Sequence, residues 1–154
     1  MNDSKKCEKE FMKTIEEFIE EEELKKIDGF LDIYSNDDDS VFFLKLDKED
    51  LNEKFIYFSY VMNAPQGSTL TGGLPSDGKV YEFRSFKKDK IGLYQINTSY
   101  IKGDETNNIA RSSITNITEA FVEVFKPTAR TEDSVLINLN SIILSEKMDS
   151  ISYV

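Results

Sequence analysis

Four places in the chain hold residue types that chemistry uses, but the residue it uses most is missing. There is no histidine. That removes the commonest general acid and base, the Ser–His and Cys–His nucleophile pairs, and every zinc set built on imidazole. The one cysteine, Cys7, excludes an intrachain disulfide and a Cys-only metal cluster. It sits beside Lys5 and Lys6 in the polar start of the chain, where a lone thiol reads as incidental. It is compatible with a reducing or an oxidising compartment.

The acidic run Glu20–Glu23 is the second place. Four consecutive helical positions point in four directions, so their carboxylates do not converge on one cation, and a solvated helix face is expected. The third is Asp37-Asp38-Asp39 inside Ser35–Ser40. Three carboxylates attract calcium, but a calcium loop also needs a glycine and a bidentate glutamate at fixed offsets, and neither is present. A polar hairpin tip is expected instead. The fourth is Asn63–Lys79, which holds Pro65, Gly67, Gly72, Gly73, Pro75 and Gly78. Neither a Gly-Lys-Ser/Thr sequence nor the opening of a helix follows these glycines, so the stretch reads as an exposed loop rather than a phosphate cradle. A carboxylate-only enzyme of the glycosidase type would need one particular acidic pair. Among 29 acidic residues, some pair always lies close, so proximity carries no signal.

The elements that would carry these residues follow from periodicity. Lys5–Lys26 has an amphipathic helical pattern, with Phe11, Ile15, Phe18 and Ile19 as its stripe, Ser4 as cap and Gly29 as stop. That stripe must be buried, either on the chain's own sheet or on a partner. From Gly29 the period becomes two. Phe30–Tyr34 and Val41–Leu46 read as strands, Asp47–Glu53 as a polar connection, and Phe55–Met62 as a strand apolar on both faces and therefore interior. Val80–Phe86 and Ile91–Ile96 form a hairpin across Lys87–Lys90, its first strand wet on the Glu82 and Arg84 face. A second helix is predicted over Asp104–Ile117. Ala120–Phe125 is predicted to pair with Ser134–Leu139 across Pro127–Asp133. The expected class is α+β: a mostly antiparallel sheet of six to eight strands with two helices. Residues 1–28 form the acidic helix and 29–154 the β-rich part of one structural unit.

Composition sets the outer limits. The 154 residues match one domain, and 11 Phe and 7 Tyr are enough for a real core. Residues 1–53 hold 18 of the 29 Asp/Glu and 8 of the 19 Lys/Arg, so the whole net charge of −10 lies there. An acidic chain without a basic stripe is a poor partner for nucleic acid or anionic membranes. Apolar runs fall short of the roughly 20 residues of a membrane span, so no membrane insertion is expected. The first 30 residues lack the apolar core of a signal peptide.

Several of these segments are familiar in their order. Gly29-Phe30-Leu31-Asp32-Ile33-Tyr34 follows an amphipathic helix, then come Lys54-Phe55-Ile56-Tyr57-Phe58-Ser59-Tyr60, Val80-Tyr81-Glu82-Phe83 and Lys90-Ile91-Gly92-Leu93. Asn97-Thr98-Ser99-Tyr100, the helix start at Asn107–Ser113 and Leu144-Ser145-Glu146 complete the series. Over roughly residues 11–147 the chain resembles the N-terminal noncatalytic region, itself of unassigned function, of bacterial metzincin-like zinc-dependent metalloproteases. In those enzymes zinc sits on an extended His-Glu-x-x-His motif whose Glu is the general base. None of those positions exists here, so the resemblance implies no catalytic, cofactor-binding or metal-binding residue in this chain. Zinc is expected only in a separate catalytic domain. It implies an accessory module that packs on or gates a downstream peptidase domain, in a family whose members are generally exported. The competing expectation is a stand-alone protein-interaction domain.

Overall fold

A computed structural model describes residues 13–60, 62, 77–87, 89–98, 119–145, 147 and 148. They form two antiparallel sheets packed face to face, with a helix on the outside of one of them. The helix α1 is Ile15–Glu21. The nine strands are β1 Lys25–Ile27, β2 Asp32–Ser35, β3 Phe42–Asp47, β4 Lys54–Tyr57, β5 Lys79–Phe86, β6 Lys90–Ile96, β7 Ala120–Phe125, β8 Pro127–Arg130 and β9 Ser134–Asn138. A short helix, α2, covers Asn140–Ile143. Sheet A runs β1-β2-β3-β9-β8 and sheet B runs β4-β5-β6-β7. The mostly antiparallel α+β class holds, but with nine described strands rather than six to eight, divided between two sheets rather than gathered in one.

The helix begins later and ends sooner than the periodicity predicts. Thr14 is extended, its hydroxyl accepts the Glu17 backbone N–H, and the Glu17 carboxylate accepts the Thr14 N–H. This reciprocal cap fixes the first turn at Ile15. At the other end Glu23 adopts φ 51°, and the chain enters β1, so Lys25 and Lys26 are strand rather than helix. The pull is tertiary: β1 pairs with β2 in the register Lys25↔Ser35, and this hairpin spans the expected boundary at residue 28. The described part of the stripe, Ile15, Phe18 and Ile19, is covered by the chain's own sheet. Ile15 is buried with Phe43, Ala129 and Leu136, and the Phe18 ring meets Phe43 edge-on at 5.2 Å. Ser4 and Phe11 lie outside the described residues.

The main core lies between the sheets. Leu44 and Leu46 of β3 and Ile137 of β9 face Tyr81 and Phe83 of β5, Ile91 and Leu93 of β6, and Phe125 of β7. β3 and β9 are interior strands buried on both faces, since Phe43 and Leu136 meet α1 on the opposite side.

The expectation that Phe55–Met62 is interior is overturned. Only Lys54–Tyr57 is strand, and β4 is the outermost of the described strands of sheet B. Phe55 and Tyr57 pack on the core, but Ile56 is 69% and Met62 87% exposed, and Phe58 and Tyr60 are exposed as well. An apolar second face is therefore not evidence that another layer covers it. Val61 lies outside the described residues, as do positions 63–76 of the predicted loop and the predicted helix Asp104–Ile117.

A second correction concerns Ala120–Phe125. It pairs with β6, while Ser134–Asn138 pairs with β3 and β8. Only Lys126 separates β7 from β8, so the chain changes sheet at that residue and Pro127–Arg130 becomes a strand of its own. Across β6 and β7 the register slips at Leu93/Tyr94 and passes over Val122. The bulge turns Val122 toward the core while Phe121 remains outside.

Candidate functional site

The outer face of sheet B carries the densest polar cluster outside the core. Glu82 and Arg84 occupy the same face of β5, two residues apart. The Arg84 guanidinium donates from Nε to Glu82 Oε1 at 2.5 Å and from Nη2 to Glu82 Oε2 at 3.0 Å, a two-toothed pair. Its Nη1 donates to Glu119, just before β7. The guanidinium lies 4.9 Å from the centre of the Tyr94 ring. Both carboxylates push its proton affinity further up, so it is a fixed cation at any usable pH.

Glu82 is only 4% exposed, so the prediction of a wet face here is corrected. Tyr94 and Phe121, edge-on at 5.2 Å, form an aromatic lid over β6 beside the pair, with Phe86 tilted against Phe121 at 5.4 Å. Gly92 makes room for that lid. A Cβ there would lie 2.9 Å from Tyr94 Cε2 and 3.2 Å from Phe121 Cε2. The sequence signal was available: acidic and basic residues at i and i+2 of one strand face, with a glycine in the neighbouring strand.

Beyond Glu82, where Val80 pairs with β4, an exposed apolar row begins. Ile56 opposes Val80 in the ladder, and the Phe58 and Tyr60 rings stack edge-on at 5.4 Å. The bonded Arg84–Glu82 pair thus lies on the same sheet face as the exposed Ile56.

A second polar cluster lies where three turns converge at one end of the sandwich, around a cleft of about 200 Å³. Arg130 of β8 reaches across to the β5–β6 turn, donating to the Asp89 carbonyl at 3.3 Å and lying 3.5 Å from its carboxylate. Lys48 pairs with Asp133 at 2.7 Å. Basic and acidic side chains alternate around the cleft, so it has no strong field of either sign. Arg130 joins sheet A to the β5–β6 turn of sheet B, while Lys48 and Asp133 join two ends of sheet A.

Next to this cleft, Ser134 donates its hydroxyl to Asp47, which Lys45 also approaches at 3.1 Å. A hydroxyl, a carboxylate and an amine are the ingredients of an activated nucleophile. Their proton affinities run the wrong way for that role. The Ser134 hydroxyl and then Lys45 hold the Asp47 carboxyl below its ordinary range, so it is a poor base. Asp47 in turn keeps Lys45 protonated, with its pKa raised.

The acidic stretches singled out in the sequence remain apart. Glu20 and Glu21 end α1, Glu22 caps it and Glu23 turns away, all exposed, with Glu21 paired to Lys13. In the β2–β3 turn Asp37 meets Lys25 at 2.5 Å, while Asp39 accepts the Ser35 hydroxyl at 2.8 Å. Asn36 closes the tip by accepting the Ser40 and Val41 backbone N–H groups. Among the described residues no three His, Cys, Asp or Glu side chains are grouped to hold a metal ion. With no histidine and one cysteine in the sequence, the residues present do not fit a catalytic zinc site. No protein-family model, curated protein or solved structure matches this chain.

Proposed function

We propose that the chain is a noncatalytic accessory domain of a zinc-dependent metalloprotease, packing on or gating a peptidase domain that carries the zinc. The resemblance of its ordered segments to the noncatalytic region of metzincin-like enzymes supplies the enzyme class. The observation that carries a docking role is the apolar row Ile56, Phe58, Tyr60 and Met62, left facing water on and beyond β4. Contiguous exposed apolar surface is a mark of contact sites. The absence of histidine from the sequence is in keeping with a partner that supplies the acid–base chemistry.

The test is the coding sequence itself. The same polypeptide is expected to carry a His-Glu-x-x-His segment with a third histidine close behind. A complete reading frame without that segment would remove the peptidase and leave a stand-alone interaction domain using the same row. That second reading is favoured by the same exposed side chains, which do not depend on the family resemblance.

A further inference from the structure

The turn between β1 and β2 holds a carboxyl group next to an unprotected backbone nitrogen. Asp28, Gly29 and Phe30 are all exposed, Phe30 by 85%, so the turn stands in solvent. Among the described residues no ion pair engages the Asp28 carboxylate, and the neighbouring Lys26 pairs with Asp32 at 2.8 Å. No described residue accepts the Gly29 backbone N–H. Glycine has no Cβ to hold that nitrogen away from the carboxyl group before it. The Asp-Ser steps among the described residues are closed by contrast. At Asp39-Ser40 the Ser40 N–H donates to Asn36 Oδ1 at 3.0 Å, and the Asp39 carboxylate accepts the Ser35 hydroxyl at 2.8 Å. At Asp133-Ser134 the carboxylate pairs with Lys48 at 2.7 Å, and Ser134 is the first residue of β9.

We propose that Asp28 is a site of spontaneous modification, where attack by the Gly29 nitrogen converts aspartate to isoaspartate. The nitrogen bonds to the side-chain carbonyl carbon of Asp28. The neutral carboxyl group loses its hydroxyl, which leaves as water with the nitrogen's proton, and a five-membered imide ring is formed. Water then adds to one of the two ring carbonyls. Opening at the side-chain carbonyl restores aspartate, and opening at the backbone carbonyl leaves the chain running through Cβ. Water is the only co-reactant, and nothing is oxidised or reduced. The fold tolerates the product, which keeps the charge and mass of aspartate but makes the chain one atom longer between β1 and β2. β1 is the outermost described strand on its side of sheet A, and its three residues are exposed, so the extra atom falls in an edge hairpin and not in the core. This inference is independent of the accessory-domain reading, because it uses no residue of the apolar row.

The test keeps the full native chain warm in heavy-oxygen water, beside a sample unfolded in guanidinium, and maps both by proteolysis and mass spectrometry. Each ring opening places a heavy oxygen in the residue, and isoaspartate resists a protease that cuts before aspartate. The map separates Asp28 from Asp77-Gly78, the other Asp-Gly step among the described residues. Asp28 is expected to keep most of its unfolded-chain rate in the native protein, while Asp39 and Asp133 fall about tenfold or more below theirs. Gly29→Ala supplies the control. A Cβ at position 29 would meet nothing nearer than the Leu31 carbonyl oxygen at 3.7 Å, and the φ of Gly29 lies outside the left-handed region, so the variant is expected to fold. It should form isoaspartate at Asp28 about tenfold more slowly. Native Asp28 that gains neither isoaspartate nor heavy oxygen would overturn the proposal. So would protection at Asp28 equal to that at Asp39 and Asp133, or an unchanged rate in Gly29→Ala.

Discussion

Single side chains decide how the outer face of sheet B behaves. Glu82 is a buried carboxylate whose charge is held by Arg84, so removing the guanidinium strands a charge rather than merely deleting a contact. Arg84→Met should cost roughly 2 kcal/mol, less than a fully buried pair would lose, because Arg84 remains partly in solvent. The double change Arg84→Met with Glu82→Leu should recover most of that loss. Urea denaturation of the wild type and the two variants checks both statements. Equal losses in the single and double variants would show that the pair itself, and not the stranded charge, matters.

Acid sensitivity should follow Asp47. Its carboxyl titrates below the ordinary value of 3.8, held first by the Ser134 hydroxyl and then by Lys45. A lowered native pKa means that the unfolded chain binds the proton more readily. The stabilisation is therefore present above about pH 4 and lost as pH falls through the lower native value. Glu123, lowered by Lys147, adds to the same acid limb. Ser134→Ala should shrink the loss of stability between pH 5 and pH 3, read as the shift in urea midpoint. An unchanged acid limb would remove Ser134 from that role.

Much of this was legible and some of it was misread. Thr14-x-x-Glu17 is a capping box written in the sequence, yet the longer helical periodicity upstream masks it. Glu82 and Arg84 were legible as one strand face. What sequence alone did not show is that Glu119, 35 residues away from Arg84, closes over them.

At the scale of elements, α1 belongs to this domain's own core. Phe18 packs on Phe43, so Phe18→Ala should cost about 3 kcal/mol, and the Phe18 and Ile19 amides, past the unbonded first turn, should exchange slowly in a monomer. A negligible loss, or fast exchange there, would mean that the helix docks elsewhere. The two apolar-faced runs Phe42–Leu46 and Phe55–Met62 look alike in sequence and end in opposite places. β3 is sandwiched because β9 and α1 assemble around it from residues far along the chain. β4 has its second face open because no described layer lies over it. Hydrophobic pattern gives which faces are apolar, and long-range topology decides which are covered. The sheet change at Lys126 was hidden for the same reason, since one residue between two strands reads as a continuous run or a hairpin.

At the scale of the molecule, two sheets pack on one core, and the described residues leave Ile56, Phe58, Tyr60 and Met62 exposed beside it. Arg130 reaches from β8 to Asp89 across the end of the sandwich, and Asn140 clamps the start of β3 by accepting the Phe42 N–H at 2.8 Å. Under the proposed function, the Ile56–Met62 row is the surface that meets a zinc peptidase domain. Titration calorimetry of this chain against the separately expressed peptidase region of its own polypeptide tests it most directly. The wild type should bind, and Phe58→Ser with Tyr60→Ser should weaken binding by roughly tenfold or more while the urea midpoint stays near that of the wild type. Absence of binding, or equal binding by the variant, would contradict the account.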